Sequence, residues 1–258
     1  MKFEEINLLL VDNEVDFLEQ AKSILKEKDE RFVIETSKTV KDALKRIENK
    51  NIDVIVSDYR MPDKDGIEFL RILREEKDNS IPFIIFTGRG WEEVAMNALN
   101  FGANKYIWKK EELTLYDKKQ EEPAGQYDLL AKEIVNEFKK LESKKTLEFI
   151  HHIIERSKDG IFCIAPDGRI LYGNKNVRDM LGYDKRELQD MNISDIDSRF
   201  QEDERDDFWK RLKEEKSITL ETEQEGKDGT ILPVKMTSNY LKHEDRELEF
   251  AFIRENTE

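Results

Sequence analysis

Continuous runs of apolar residues alternate with amphipathic segments through the first 110 positions of the chain. Uninterrupted apolar runs are typical of strands that are buried on both faces of a sheet. The five predicted strands are residues 8–11, 32–34, 53–57, 82–86 and 106–108. Apolar residues at spacings of three and four fill the intervening segments and predict helices there. Strands and helices that alternate in this way predict an α/β doubly wound fold with a five-stranded parallel sheet.

A different pattern begins after residue 110. Residues 111–125 are mostly polar, and we interpret them as an insertion that is longer than the usual strand-to-helix loop. Residues 126–157 carry apolar side chains at helical spacing, which predicts one long connecting helix or two helices in series. The first apolar stripe of this helix is Leu130, Ile134, Phe138 and Leu141. This stripe fits packing on the preceding sheet and the seam of a dimer, and we expect both: the first turns pack on the sheet and the later turns pair.

The last hundred residues mix short strands with helices. Two apolar runs flank the turn Pro166-Asp167-Gly168 and predict a β-hairpin. Helical segments follow between residues 174 and 215, and three alternating segments near the end predict further strands. Strands at both ends with helices between them predict an α+β domain with an antiparallel sheet. The predicted units are therefore a domain over 1–125, a connecting helix over 126–157 and a second domain over 158–258.

Composition and charge exclude several classes of protein. The hydrophobic fraction of 38% is enough for two cores, but no run of about 18 apolar residues predicts a membrane span. The formal net charge of −14 argues against a nucleic-acid partner, because neutralising phosphates requires a basic surface. The single cysteine, Cys163, excludes an internal disulfide and fits a reducing compartment. We therefore expect a cytoplasmic protein that binds neither membrane nor nucleic acid.

Four polar residues follow the predicted strands. Asp12 and Asp58 end the first and third strands, and Thr87 and Lys109 end the fourth and fifth. Because the carboxyl ends of parallel strands meet at one edge of a sheet, we expect the two carboxylates to converge. Converging carboxylates repel each other unless a cation lies between them, and Mg²⁺ is a hard dication that prefers oxygen ligands. Together these groups predict catalysis of phosphoryl transfer onto Asp58, with Lys109 and Thr87 binding the phosphoryl oxygens.

Four short motifs stand in order along residues 6–110. They are Leu9-Leu10-Val11-Asp12-Asn13-Glu14, Val56-Ser57-Asp58-Tyr59-Arg60-Met61-Pro62-Asp63-Lys64-Asp65-Gly66, Phe86-Thr87-Gly88, and Tyr106 three residues before Lys109. This part of the chain resembles the receiver domain of two-component response regulators, which has a flavodoxin-like fold. The resemblance implies that Asp58 accepts a phosphoryl group from the phosphohistidine of a histidine kinase. It implies a Mg²⁺ site formed by Asp12, Asn13, Asp58 and Arg60. It also implies that Thr87 and Tyr106 form a switch that shifts inward on phosphorylation.

Two residues depart from the receiver pattern. The family normally has a second acid where this chain has Asn13, which removes one negative charge, so we expect Mg²⁺ to bind more weakly. The family usually has proline after the lysine, where this chain has Lys110. The first departure leaves open an alternative in which the domain is a docking adaptor that works without phosphorylation.

Residues 145–256 contain a second set of motifs. They are Gly160-Ile161-Phe162-Cys163-Ile164-Ala165-Pro166-Asp167-Gly168-Arg169-Ile170, Asn174, Met180-Leu181-Gly182-Tyr183 and Lys227-Asp228-Gly229-Thr230. This part of the chain resembles a PAS domain, which implies a sensor or a dimerisation module. Cys163 lies on a strand instead of in the reactive helix motif of flavin-binding members, and residues 203–215 contain no histidine that could bind haem. We expect His151 and His152 to be exposed or packed instead of binding a metal, and no tightly held cofactor.

The combined pattern predicts a two-component signalling protein. Phosphorylation of Asp58 would be passed through the connecting helix to the PAS domain, and we expect a homodimer through that helix and the PAS domain. An alternative is the N-terminal sensory fragment of a hybrid histidine kinase. However, the sequence around His151 and His152 lacks the phosphorylation box of such kinases and no glycine-rich ATP lid follows it. We therefore expect a phospho-acceptor protein that is not an enzyme, and the cognate kinase, stimulus and output stay open.

Overall fold

The computed structural model describes residues 4–62, 64–88, 92–109 and 124–256. The chain forms two compact units, Met1–Lys145 and Thr146–Glu258. Lys110 and residues 111–123 of the predicted insertion lie outside the described residues. Within the described ranges, no helix is both long enough and apolar enough to span a bilayer.

The first unit alternates strands and helices as predicted. Its strands are β1 Ile6–Val11, β2 Phe32–Ser37, β3 Val54–Ser57, β4 Phe83–Thr87 and β5 Lys105–Trp108. Its helices are α1 Val15–Lys28, α2 Val40–Asn49, α3 Gly66–Arg71, α4 Glu92–Asn100 and α5 Ala124–Glu155, and a π-helical turn, Ile72–Glu76, continues α3. The strands pair in the order β2-β1-β3-β4-β5, and every pair is parallel. The prediction of a doubly wound, five-stranded parallel sheet is confirmed.

Both faces of this sheet are buried, which explains the continuous apolar runs. Leu8 and Leu10 of β1 pack in a cluster with residues of α1 and α5, whereas Leu9 and Val11 pack in a second cluster with residues of α2 and α3. Successive side chains of a strand point to opposite faces, so a strand between two helical layers must be apolar at every position.

Helix α5 belongs to the first core at its beginning and to the second unit at its end. Its first turns bury Tyr127, Leu130, Ala131, Ile134 and Phe138 in the cluster that also contains α1. Packing of the predicted stripe on the sheet therefore holds for its first three members, and Leu141 is half-buried. Residues 143–153 are all exposed. The helix was predicted from residue 126 and is one continuous element that crosses the boundary between the units.

The second unit is built on an antiparallel sheet. Its strands are β6 Gly160–Ile164, β7 Ile170–Gly173, β8 Ser217–Glu225, β9 Ile231–His243 and β10 Arg246–Glu255, and its helices are α6 Lys175–Leu181, α7 Lys185–Gln189 and α8 Glu202–Glu215. The strand order is β7-β6-β10-β9-β8. Residues of α6, α7 and α8 share one core with the inward side chains of the sheet. The predicted hairpin turn requires Gly168, which has a φ of 87° and lies against Asn192. The predicted α+β domain with an antiparallel sheet is confirmed.

Candidate functional site

Backbone hydrogen bonds extend the parallel sheet by one residue beyond three strands. The N–H of Asp12 donates to the carbonyl of Ser37 at 3.1 Å, and the N–H of Asp58 donates to that of Val11 at 2.8 Å. The N–H of Lys109 donates to the carbonyl of Thr87 at 2.7 Å. These bonds fix the residues that follow β1, β3 and β5 at one edge of the sheet.

The side chains of Asp12, Asp58 and Lys109 meet at this edge. The Nζ of Lys109 lies 2.7 Å from Oδ2 of Asp12 and 3.1 Å from Oδ1 of Asp58. All three side chains are largely buried, with 5%, 11% and 16% of their surface exposed for Asp12, Asp58 and Lys109. Charge-assisted hydrogen bonds in such surroundings are strong, because water screens them little. The structure therefore brings together the two carboxylates and the ammonium that the sequence placed at the strand ends.

Each carboxylate also accepts a backbone hydrogen bond. The N–H of Glu14 donates to Oδ1 of Asp12 at 2.9 Å, and the N–H of Arg60 donates to Oδ2 of Asp58 at 2.8 Å. Both oxygens of each carboxylate are thus held by a donor, and the orientation of each side chain is fixed. A fixed nucleophile has little freedom to lose when it reaches the transition state of a transfer reaction.

Burial makes the negative charge of Asp12 costly. Desolvation raises the pKa of Asp12 above its ordinary value, and nearby Asp58 adds to the rise, whereas Lys109 and the N–H of Glu14 act in the opposite direction. The single positive charge of Lys109 therefore compensates this pair of carboxylates only in part. An additional cation at this edge would favour the ionised form of Asp12.

The oxygen atoms around the two carboxylates fit a hard dication. Asn13 and Arg60 line an open depression beside them, together with Tyr59, Met61, Pro62 and Asp65. Asn13 can offer its amide oxygen, whereas Arg60 can offer only its backbone carbonyl, since a guanidinium group has no acceptor. Carboxylate, amide and carbonyl oxygens are the ligands that Mg²⁺ takes. No group of three or more His, Cys, Asp or Glu side chains suited to a metal occurs in the described ranges.

The loop after Asp58 depends on Gly66. Its N–H donates to the carbonyl of Tyr59 at 2.8 Å, and a Cβ on this residue would lie 2.4 Å from the carbonyl oxygen of Asp58. Asp65 caps α3 by accepting from the N–H groups of Ile67 and Glu68. The turn and the cap together hold the backbone that carries Asp58, which explains the Asp65-Gly66 pair of the sequence motif.

The predicted switch residues lie on β4 and β5. Thr87, the last residue of β4, is 1% exposed. The hydroxyl of Tyr106 is buried and has no hydrogen-bond partner among the residues that the structure describes. Burial raises the pKa of Tyr106, and the nearby Tyr59 and Asp58 contribute to the rise. The hydroxyl of Tyr106 thus lies inside the fold and not at its surface.

Sequence reasoning missed the aromatic surroundings of Lys109. Its Nζ lies 3.6 Å from the ring centroid of Phe17 and 5.5 Å from that of Phe86. Tyr127 on α5 packs edge-on against Phe86, with ring centroids 5.9 Å apart. The helical spacing predicts Phe17 only as a core residue, and no local pattern indicates its contact with a lysine so distant in the chain.

Sequence reasoning also missed a buried ion pair in the second unit. Arg205 donates to Oε2 of Glu249 at 2.6 Å and to the carbonyl of Ala165 at 3.0 Å. Ser238 donates to the other carboxylate oxygen of Glu249 at 2.5 Å. Arg205 lies in a highly charged helix and Glu249 in an alternating strand, where charged residues usually face solvent.

Asn174, a motif residue of the second unit, bonds to three segments of the chain. Its Oδ1 accepts from the N–H groups of Ile161 and Val177 at 3.0 and 3.1 Å. Its Nδ2 donates to the carbonyls of Ile154 and Asp159 at 2.9 and 3.0 Å. Asn174 therefore joins the last turn of α5 to the beginning of β6 and of α6. Cys163 is half-buried on β6, and burial raises the pKa of its thiol, as expected for a structural residue.

Comparison with known proteins agrees with this organisation. A family model described as a response regulator receiver domain matches residues 8–118, and one described as a PAS domain matches residues 158–258. The chain therefore contains a response regulator receiver domain and a PAS domain. Receiver and PAS domains together fit two-component signalling.

Curated relatives match the receiver part. An uncharacterized 14.6 kDa protein of Leptolyngbya boryana is 31% identical over 106 residues, which cover 41% of this chain and 79% of that protein. Response regulator SaeR of Staphylococcus aureus is 30% identical over 103 residues, 40% of this chain and 43% of that protein. The DNA-binding transcriptional regulator NtrC of Proteus hauseri is 40% identical over 68 residues, 26% of this chain and 14% of that protein. The chain thus spans less than half of the last two relatives.

Solved structures resemble each part separately. The receiver domain of the Francisella response regulator 1452 is 25% identical, with a TM-score of 0.44, and the match covers 53% of this chain and 99% of that one. A PAS domain from a two-component sensor histidine kinase is 26% identical, with a TM-score of 0.40, and the match covers 44% of this chain and 99% of that one.

Proposed function

We propose that the chain is a two-component signalling protein in which Asp58 accepts a phosphoryl group from the phosphohistidine of a histidine kinase. The observation that supports this most is the position of the Lys109 Nζ between the carboxylates of Asp12 and Asp58. An oxygen of Asp58 attacks the phosphorus atom, the bond from phosphorus to the histidine nitrogen breaks, and the imidazole leaves with the electron pair. The protein itself supplies no kinase chemistry in this scheme, so it is a phospho-acceptor and not an enzyme.

The surrounding residues have separate roles in this proposal. Lys109 and the hydroxyl of Thr87 bind the phosphoryl oxygens, while the N–H of Arg60 orients the carboxylate of Asp58. A Mg²⁺ ion bound by Asp12, Asn13, Asp58 and the carbonyl of Arg60 would neutralise charge on the phosphoryl group. Because Asn13 is neutral, we expect the ion to bind more weakly than it would with an acid there.

The signal would leave the receiver domain through α5. Thr87 and Tyr106 form the switch, and the first turns of α5 pack in the core that contains Phe86. The last turn of α5 is joined to the PAS domain, where Glu155 accepts from Tyr172 at 2.6 Å and from Arg178 at 2.9 Å. A helix that is anchored at each end transmits a displacement as a rigid body. In this proposal residues 1–125 form the receiver domain, residues 126–157 form the connecting helix and residues 158–258 form the PAS domain.

A homodimer through α5 and the PAS domain completes the proposal. The exposed part of α5 presents four large apolar side chains, which we call the helix seam: Leu147, Phe149, Ile150 and Ile153. Clustered apolar side chains on a surface helix are typical of an interaction site. The seam differs from the stripe for which the sequence predicted both packing and pairing, since Leu130, Ile134 and Phe138 are buried in the receiver core.

A docking adaptor that works without phosphorylation is the second candidate. Asn13 favours it, since one metal-binding charge is missing from the site. In this candidate Asp12, Asp58 and Lys109 would carry out no chemistry, and the domain surface would bind a partner in a single state.

The decisive experiment uses acetyl phosphate as the phosphodonor. The full chain is incubated with acetyl phosphate and increasing Mg²⁺, and the intact mass is followed with time. We expect one phosphoryl mass increment that is absent from Asp58→Ala and that needs less Mg²⁺ in Asn13→Asp. If neither the wild type nor Asn13→Asp gains the increment at any Mg²⁺ concentration, the phospho-acceptor proposal is wrong and the adaptor is favoured.

A further inference from the structure

Phe17 is the aromatic residue nearest the ammonium of Lys109. It lies half-buried on α1, and its ring is tilted by 46° against that of Phe86, with centroids 6.1 Å apart. The Nζ of Lys109 is 3.6 Å from the Phe17 centroid, well inside the roughly 6 Å within which the face of a ring attracts a cation. Phe86, at 5.5 Å, makes a longer contact of the same kind.

The ammonium of Lys109 is thus held by two carboxylates and by the aromatic ring of Phe17. It has three N–H groups, and the carboxylates of Asp12 and Asp58 accept from it on one side. A cavity of about 10 Å³ is bordered by Asp12, Asp58, Phe17 and Phe86, with aliphatic side chains such as Val56 on its wall. This volume is at the lower limit for one water molecule. Of the two rings that contact the ammonium, that of Phe17 is the nearer.

We propose that Phe17 is a positioning residue for phosphoryl transfer, acting through a cation–π contact that keeps the Lys109 ammonium within reach of Asp58. This rests on the proposed phosphorylation of Asp58. When acetyl phosphate is the donor, an oxygen of Asp58 forms a bond to phosphorus, the bond from phosphorus to the acetyl oxygen breaks, and acetate leaves with the electron pair. Charge on the phosphoryl oxygens during this step is met by Lys109, and Phe17 acts through its contact with that ammonium.

An aliphatic residue at position 17 would fill the space without attracting the cation. Lysine has a flexible four-carbon stem, and an ammonium that is not attracted by the ring would spend more time in water, away from Asp58. We expect Phe17→Leu to lower the maximal phosphorylation rate about tenfold, a cost of about 1.4 kcal/mol. The Mg²⁺ concentration for half-maximal rate should not change, because no oxygen ligand is altered.

The test replaces Phe17 in the full chain with 4-fluoro-, 3,5-difluoro- and 3,4,5-trifluorophenylalanine. Fluorine withdraws electron density from the ring face while the shape of the ring is nearly kept. The maximal rate with acetyl phosphate and Mg²⁺ should fall stepwise toward that of Phe17→Leu, and Phe17→Trp should retain the wild-type rate. The control is the same series at Phe69, a fully buried ring on the other face of the sheet, where the rate should stay constant.

A rate that stays constant across the series at Phe17 overturns the proposal. If the wild type takes up no phosphoryl group, the proposed function fails, and the contact is judged by NMR of the chain labelled with ¹³C-lysine. The ε-methylene resonance of Lys109, assigned with Lys109→Arg, should be shifted upfield by the Phe17 ring and lose this shift in Phe17→Leu. An identical resonance in the wild type and Phe17→Leu would show that Phe17 does not position Lys109.

Discussion

At the scale of single residues, the candidate site contains buried charged groups that do not stabilise the fold. Asp12 keeps a negative charge in a buried position where Lys109 compensates it only in part, and Asp58 lies within reach of the same ammonium. A protein gains no stability from crowding two carboxylates, so such an arrangement is typical of a site that binds a ligand with opposite charge.

Replacing Asp12 should therefore stabilise the fold. Burial raises the pKa of Asp12, so the folded chain holds the proton more tightly than the unfolded chain does. Wild-type stability then falls as the pH rises from the ordinary carboxyl pKa through the raised one. The side chain of Asp12→Asn is neutral at every pH. The free energy of unfolding of this variant should therefore exceed that of the wild type increasingly across this window, by roughly 1 kcal/mol at neutral pH. Urea denaturation at a series of pH values measures it.

The exposed acid Asp16 on α1 provides the matched control. Asp16→Asn removes the same charge from an exposed position, so it shows how much of a stability change comes from the net charge alone. An advantage of Asp12→Asn that is equally large below the ordinary carboxyl pKa would contradict the electrostatic explanation.

Gly66 gives a second residue-scale prediction. A Cβ at this position would lie 2.4 Å from the carbonyl oxygen of Asp58, so the backbone of Asp58 must shift. We expect Gly66→Ala to cost about 1–3 kcal/mol of unfolding free energy, as overpacking does, and to slow phosphorylation of Asp58. Gly125→Ala is the control, because nothing lies within 4 Å of a Cβ there and alanine favours the helix. Equal stability of the two variants would contradict the steric argument.

At the scale of elements, apolar periodicity predicted the fold well. Continuous runs marked the five strands of the parallel sheet because helices cover both of its faces, and alternating runs marked β8, β9 and β10 because one face of that sheet is covered by helices. The ends of β1, β3 and β5 were predicted to converge from topology alone. The site was therefore predictable as far as it depends on the strand ends.

Contacts between distant side chains could not be predicted in this way. The pattern around Arg205 contains seven charged residues in nine positions, from Glu202 to Lys210, and nothing local shows which of them turns inward to Glu249. Phe17 likewise has the same spacing as any core residue of α1. Pairings of this kind depend on the three-dimensional neighbours of a residue, which periodicity does not encode.

Asn174 provides the element-scale prediction, since it joins α5, β6 and α6. Its four hydrogen bonds are made by a side chain that is 0% exposed. Asn174→Ala leaves these N–H and carbonyl groups without their partner, at a cost of about 3 kcal/mol or more. Hydrogen exchange should also become faster at the last turn of α5, near Ile154. The half-buried Asn176 on α6 is the control, and Asn176→Ala should leave both measurements close to wild type. Unchanged exchange near Ile154 in Asn174→Ala would contradict this role.

At the scale of the whole molecule, α5 is the element that both domains share. Its first turns contribute to the receiver core and its last turn is hydrogen-bonded to the PAS domain. Residues 143–153, which lie between these anchored parts, are all exposed. In the proposed homodimer, a second copy of the same amphipathic helix would cover the helix seam.

The whole-molecule prediction concerns this pairing. Leu147, Phe149, Ile150 and Ile153 fall within about half of the helix circumference at 3.6 residues per turn, whereas His152 lies on the opposite, polar side. In a symmetric dimer Ile150→Glu places buried like charges near each other, so the dissociation constant should rise at least tenfold, about 1.4 kcal/mol. His152→Glu introduces the same side chain on the polar side and should leave it unchanged. The dissociation constant is measured by sedimentation and light scattering of the full chain over a range of concentrations. A monomeric wild type, or a dimer that Ile150→Glu does not weaken, would exclude the helix seam as the interface.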